Sequence, residues 1–529
     1  MGRCRWLEIL EDDCCRYRRP NHGRMSPMTN QRMTLPMPNQ KTVSAYLSSH
    51  LSGVDLAPAL RASLRGRDVE ESINTVAMAA SASDNSLPPS QLALIVRYLL
   101  ENESGTHVRD RGLTIDELAA VCEMAASIIT SPDSAFGVKV SDSSWSMAHR
   151  IAYQQFPDEE ESSYVPRSLA VYRQIAPSLV EEGGFDLERR YRDAYGLTIN
   201  DTWNIGYALT QWCLANPGTS FSSASLEQQL GLADIDQDRY GKFLATQACA
   251  YDVYRSMLST PTEGQSHFEP YNLNPFRKFP ILILPDGNHM LPIPAYLLRR
   301  ITHGLYYDLI ELDRSGYIGL IGRTFKEYIG RLLSELALDS VSQSDDGVWV
   351  VSNDNTAVLI ECITRPFGAM SRSTGNRAHL HADLARRAGV VDSVKRLQDI
   401  RHPTGNNSRL VEALQGKRTV GVVVALEDFY LANGPFIRGI VDEELSNQGR
   451  TAMGAEIQMT HVGGLEAACA LAVTSGESLA GLIYRKSNQH EYDCLEMDAY
   501  ARHLTLLEDH SEANNLTPTI LTNAASKFL

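Results

Sequence analysis

Two kinds of hydrophobic spacing divide the chain. From Thr42 to about Leu258, apolar residues recur three and four positions apart, the signature of amphipathic helices. In LTIDELAAVCEMAASII the positions Leu118, Ala119, Cys122 and Ala126 share a face, Thr114 and Glu117 form a capping box, and Ser131 and Pro132 stop the helix. PSQLALIVRYLLEN, NIGYALTQWCLAN and KFLATQACAYDVYRSML repeat the pattern, with FPDEEESS and PGTSFSSAS between them as exposed loops. SLEQQLGLADIDQDRYGKFL has the spacing of a DNA-reading helix-turn-helix. An ordinary helical hairpin shares its glycine turn and apolar spacing and is the preferred reading.

After Tyr271 the spacing changes. NPFRKFPILILPDGNHMLPIPAYLLRR reads as a strand, a turn at Asp286 and Gly287, a second strand and a helix. GRTFKEYIGRLLSELAL follows as an amphipathic helix with Phe325, Tyr328, Ile329, Leu332 and Leu333 on one face. The strands GVWVV and TAVLIECI flank the turn SNDN, and then come the helix HADLARRAGVVDSVKRLQDIR and the strand VGVVVALEDFYL. This order predicts an α/β C-terminal half, a mixed sheet flanked by helices, after a mostly α-helical N-terminal domain. The expected divisions are a disordered extension over 1–40, the helical domain over 41–262, the α/β domain over 263–450, and an α/β extension over 451–529 that packs on it.

Composition narrows the functional classes. A chain of 529 residues, 43% hydrophobic and 21% charged, can bury several cores. Its net charge of -15 confines any nucleic-acid contact to a local basic patch, such as Arg386, Arg387, Lys395 and Arg396, which equally reads as a solvated helix face. There is no run of about 18 apolar residues to span a membrane, and the nine cysteines form no CxxC pair or disulfide framework. A cytoplasmic, reducing setting without membrane contact is the expectation.

The hairpin carries the candidate chemistry. If Ser352 to Asn355 form a four-residue loop, Val351 pairs with Thr356 and Asp346 stands opposite Glu361. Opposed side chains in an antiparallel pair lie about 4.5 to 5.5 Å apart. Two carboxylates held that closely repel unless a cation such as Mg²⁺ sits between them. Slipping the register by one residue brings Asp345 to that face instead. Glu361 stands out, because a carboxylate in an apolar strand is costly to bury unless it is paired or metal-bound. Strand alternation places Glu361, Ile363 and Arg365 on one face, with Cys362 and Thr364 on the other.

A helix bearing Glu327, an aspartate opening one strand, IEC closing the next and a helix with VKRLQ together resemble the PD-(D/E)XK restriction-endonuclease-like superfamily. The similarity spans roughly Asn274 to Leu445, with a looser echo in EIQMTHVGGLEAACAL. The resemblance implies that Asp346 and Glu361 hold Mg²⁺ or Mn²⁺, with Glu327 as a third ligand. Ile363 occupies the catalytic lysine position, so a displaced cation, Arg365 or Lys395, would have to serve. The implied function is a nuclease-like subunit of a bacterial anti-phage or restriction system that hydrolyses phosphodiester bonds. Implied partners are nucleic acid, with DNA expected, and an ATPase or other defence subunit; a homo-oligomer is compatible. The competing reading is an inactive nuclease fold acting as a nucleic-acid-binding or assembly scaffold. It is favoured if Asp346 and Glu361 point apart or apolar side chains fill the groove. A weaker third reading makes the α/β half purely structural. The active reading stands ahead at this point, since Glu361 would otherwise be an expensive relic.

Overall fold

The computed structural model describes residues 56–82, 87–101, 111–130, 149, 152–153, 161–180, 184–232, 234–258, 275–401, 413–427, 429–489, 492–507, 518 and 520–521. The expected extension over 1–40 and the linker TPTEGQS lie outside the described residues. The chain forms two compact units: residues up to Val140 with Asn204–Pro270 and Asn274–Leu298, and Ser141–Trp203 with Tyr271–Leu273 and Arg299–Leu529.

The first unit is mostly helical, as the spacing predicts. Its helices include Pro89–Glu101 and Ile115–Thr130. The capping box at the second forms, with Thr114 Oγ1 accepting from Glu117 N at 3.3 Å and Glu117 Oε2 accepting from Thr114 N at 3.0 Å. The segment KFLATQACAYDVYRSML departs from expectation. Its helix ends at Gln247, and Ala248–Ala250 pair in parallel with Ile281–Ile283, which pair antiparallel with His289–Met290. The strands expected to open the C-terminal half therefore belong to the first unit, which crosses the division expected at residue 262. A parallel pairing between distant segments leaves no periodicity to read.

The second unit is built around one sheet. Helix α1 (Glu161–Ser168) precedes α2 (Gly304–Leu312) and α3 (Arg314–Leu333), the last capped by Asp313 Oδ1 accepting from Gly316 N at 3.0 Å. Then come β1 (Ser340–Gln343), β2 (Trp349–Ser352), β3 (Thr356–Ile363), α4 (Ala369–Thr374), α5 (Arg377–Ala385), α6 (Val390–Arg401), β4 (Arg418–Ala425), α7 (Pro435–Asn447) and β5 (Ile457–His461). Helices α8 (Val462–Ser475), α9 (Leu479–Asn488) and α10 (Met497–Leu507) complete the unit. The five strands lie in order β1-β2-β3-β4-β5, antiparallel across the first two pairings and parallel across the last two. The segment after 450 thus supplies a strand of the sheet itself. Strand β1 escaped the sequence reading because its SVSQ is polar and mostly exposed and carries no hydrophobic alternation.

The sheet is covered on both faces. Val348, Val350, Leu359 and Ile363 join Leu384, Val394 and Leu397 of α5 and α6 and Ile440 of α7 in one core cluster. Trp349 alternates to the other face, where its indole Nε1 donates to the Lys326 carbonyl of α3 at 3.1 Å. The helix expected over HADLARRAGVVDSVKRLQDIR is two helices, broken where Ala388 adopts φ 57°. At Gly389 a Cβ would stand 2.7 Å from the Arg386 carbonyl, so only glycine fits that turn. Among the described residues no single helix is long and apolar enough to cross a membrane.

Candidate functional site

The hairpin sets the site. Asn353 Oδ1 accepts from Asn355 N, Thr356 N and Thr356 Oγ1 at 2.9, 2.8 and 2.9 Å, and Asn353 N donates to the Thr356 carbonyl at 3.0 Å. An asparagine that mimics a backbone turn in this way shortens the loop to Asp354 and Asn355. Ser352 then pairs with Ala357, and Trp349 with Ile360. This register is two residues from the expected one. An even shift keeps each side chain on its predicted face but changes its partner.

The pairing ends at Trp349 and Ile360; continued by one residue, its register would bring Val348, not Asp346, level with Glu361. Val348 is fully buried. Asp346 lies instead in the turn before β2, where its side chain is exposed. Ile363, two residues beyond Glu361 on the same face, is buried in the core cluster. Of the residues that the resemblance implies, Asp346 is exposed in the turn, where its charge still reaches Glu361, and Ile363 is buried beyond Glu361.

Glu361 is itself buried, at 6% exposure, and is neutralised within the protein. Its Oε1 accepts from Arg396 Nη1 at 2.7 Å, while Arg396 Nη2 donates to the Asp346 carbonyl at 2.6 Å. Burial raises the Glu361 pKa, the charges of Arg396 and Lys326 pull it back, and that of Asp346 adds to the rise. Its Oε2 is buried without a hydrogen-bond partner. Lys326 reaches the site from α3; a Cβ on Gly347 would lie 2.8 Å from its Nζ, and Gly347 has φ 79°. Glycine there meets a left-handed turn and a close approach at once.

The other expected site residues lie elsewhere. Glu327 pairs with Arg331 on α3 at 2.9 Å and is half-exposed. Lys395 is held by Asp392 at 2.6 Å and by Gln448 at 3.0 Å. Arg365 Nη1 donates to the Arg387 carbonyl at 3.2 Å. The cations that face Glu361, Arg396 and Lys326, were missed as partners. Spacing alone does not separate the two: Arg396 follows the buried Ser393 by three residues, and Lys395 follows the buried Val391 by four.

The donor set around Glu361 is a poor match for Mg²⁺ or Mn²⁺. Both prefer oxygen ligands, and Asp346, whose charge reaches Glu361, is exposed in the turn before β2. Arg396 and Lys326 already supply positive charge to the only buried carboxylate there, so a dication would be repelled by both. Among the described residues no group of three or more His, Cys, Asp and Glu side chains is placed to hold a metal ion.

Removing the guanidinium should expose the cost of Glu361. Arg396→Ala is expected to destabilise the fold by about 2 kcal/mol, less than for a fully buried pair because Arg396 is half-exposed. Its pH dependence has a definite sign. A raised folded pKa gives stability that is fully present below the unfolded value and is lost as pH rises through the folded value. Without Arg396 the folded value climbs further, so the loss should extend to higher pH than in the parent. Urea unfolding between pH 4 and about 8 measures this, and the double variant Arg396→Ala/Glu361→Leu should recover most of the stability. A single variant as stable as the parent across that range would remove the pairing from the account.

Compared with known protein families, with curated proteins and with solved structures, the chain matches none.

Proposed function

We propose that the second unit is a restriction-endonuclease-like fold that has lost its catalytic centre and binds nucleic acid without cutting it. The observation that carries this reading is the row Val348, Glu361 and Ile363, with Arg396 seated on the glutamate. The order of α3, the β2–β3 hairpin, α6 and the parallel strand β4 supports the fold assignment. Metal-assisted hydrolysis needs ligands that fix the ion, and a cation that steadies the charge developing on phosphate. Valine supplies no ligand and isoleucine no charge. Glu361 is no longer an unexplained cost, because Arg396 compensates its burial.

The place in a bacterial anti-phage or restriction system rests on the superfamily resemblance. In such a system a partner nuclease or ATPase would supply the chemistry. The test incubates the full chain with supercoiled DNA, single-stranded DNA and RNA in Mg²⁺ or Mn²⁺. The expected result is retention of nucleic acid with a salt-sensitive affinity and no strand breaks. Cleavage by the parent that disappears in Glu361→Ala would overturn the proposal.

A further inference from the structure

Beyond the end of β3 the chain gathers arginines from separate elements. Arg365 Nη1 donates to the Arg387 carbonyl at 3.2 Å, and Arg386 Nη2 donates to the Arg365 carbonyl at 3.4 Å and to the Pro366 carbonyl. Asp383 holds the other end of Arg386, with Nη1 to Oδ1 at 3.1 Å, and is itself engaged by Gly368 N at 2.6 Å and Ser371 Oγ at 2.5 Å. Arg386 is therefore a pin between Arg365 and Arg387. The charge of Arg314, the first residue of α3, reaches the same group: burial lowers the Arg386 pKa, Asp383 opposes this, and the charges of Arg365 and Arg314 lower it further. Burial and the Glu427 charge raise the Tyr306 pKa, and the charges of Arg386, Arg365 and Arg314 pull it back.

The acidic groups whose charges reach this cluster are engaged: Glu427 accepts from the Tyr307 hydroxyl at 3.0 Å and pairs with Arg372 at 3.9 Å. Asp313 caps α3 through Gly316 N, and Asp392 is paired with Lys395. Arg314 and Arg387 are exposed and Arg365 is half-buried. Among the described residues none of these three forms an ion pair. Like charges fixed side by side repel, and a chain of net charge -15 offers no general field to attract a polyanion. A local arginine surface does both jobs if its counter-charge comes from outside. Guanidinium forks match phosphate oxygens in geometry, and several in one patch suit a chain of phosphates better than a single small anion.

We propose that Arg314, Arg365 and Arg387, with Arg386 as the pin that holds the last two together, form the surface that grips the phosphodiester backbone of a nucleic acid. This rests on the nucleic-acid-binding reading above and adds where the strand lies. Each arginine on a phosphate releases counterions, so the logarithm of affinity should fall with the logarithm of salt by about 0.7 to 0.9 per contact.

The experiment measures fluorescence anisotropy of labelled duplex DNA, single-stranded DNA and RNA of equal length, titrated with the full chain at several salt concentrations. The Arg314→Gln/Arg365→Gln/Arg387→Gln triple variant should flatten the salt slope by about 2 to 3, and the corresponding triple lysine variant should keep it. Arg314→Gln and Arg387→Gln alone should each lower it by about 1, which preserves the test if the triple variant does not fold. A triple glutamine variant, or single variants, with the parent slope would place the strand elsewhere and overturn this surface, leaving the nucleic-acid reading intact. A parent that binds none of the three nucleic acids would overturn both.

Discussion

Glu466→Ala is expected to destabilise the second unit by about 3 to 5 kcal/mol. Glu466 lies on α8 at 2% exposure and accepts from Arg167 Nε at 2.7 Å, from Arg167 Nη2 at 2.6 Å and from the Tyr328 hydroxyl at 2.6 Å. Removing the carboxylate strands a buried guanidinium and a buried hydroxyl together, and each loses a charge-assisted bond. Because the three residues come from α1, α3 and α8, the damage reaches the helix that carries Lys326. Glu466→Gln should cost less, since its amide oxygen still accepts one of these bonds. Replacing the pair with Arg167→Met/Glu466→Leu should recover much of the loss, because burying a charge pair is itself costly. Denaturant unfolding measures all three variants. A loss below about 1 kcal/mol for the alanine variant would mean that water reaches the stranded arginine.

The second large effect concerns Ile363, two residues beyond Glu361 on β3. Ile363→Lys is expected to cost about 3 kcal/mol and to produce no cleavage. Ile363 is buried in the cluster that includes Leu359, Phe367 and Phe429. The exchange removes apolar contacts and forces an ammonium into their place. Glu361 Oε2 could accept one hydrogen bond from it, which offsets part of the cost but leaves the new charge beside Arg396. Catalysis would not return, since Val348 still offers no second ligand. Thermal unfolding read together with a plasmid-nicking assay tests both halves. A stable, Mn²⁺-dependent nicking variant would show that only the lysine was missing.

Local signals in the sequence carried much of the fold. The capping box at Thr114 formed because its bonds lie within one turn, and the hairpin strands followed their alternation. The burial of Glu361 was also legible, as a charge inside an apolar run. What escaped depends on longer reach or on a single side chain. Asn353 chose a two-residue loop where four polar residues offered several, and that choice put Val348 in place of Asp346. Arg396 and Lys395 are neighbours in sequence, but about 100° of helical turn separates their directions, and it is Arg396 that reaches Glu361 while Lys395 bonds Asp392 and Gln448. The Arg167–Glu466 pair joins positions 299 residues apart, and the Ala248–Ile281 pairing joins two distant segments. Neither leaves a local pattern. The break at Ala388 requires a left-handed residue that is not glycine, which sequence preference argues against.

Whether Arg396 alone satisfies Glu361 is decided by calorimetric titration of Mn²⁺ into the full chain and into Glu361→Gln. The expected result is no stoichiometric Mn²⁺ site in the parent and superimposable titrations for the two proteins. A site with one ion per chain in the parent, weakened in Glu361→Gln, would contradict it.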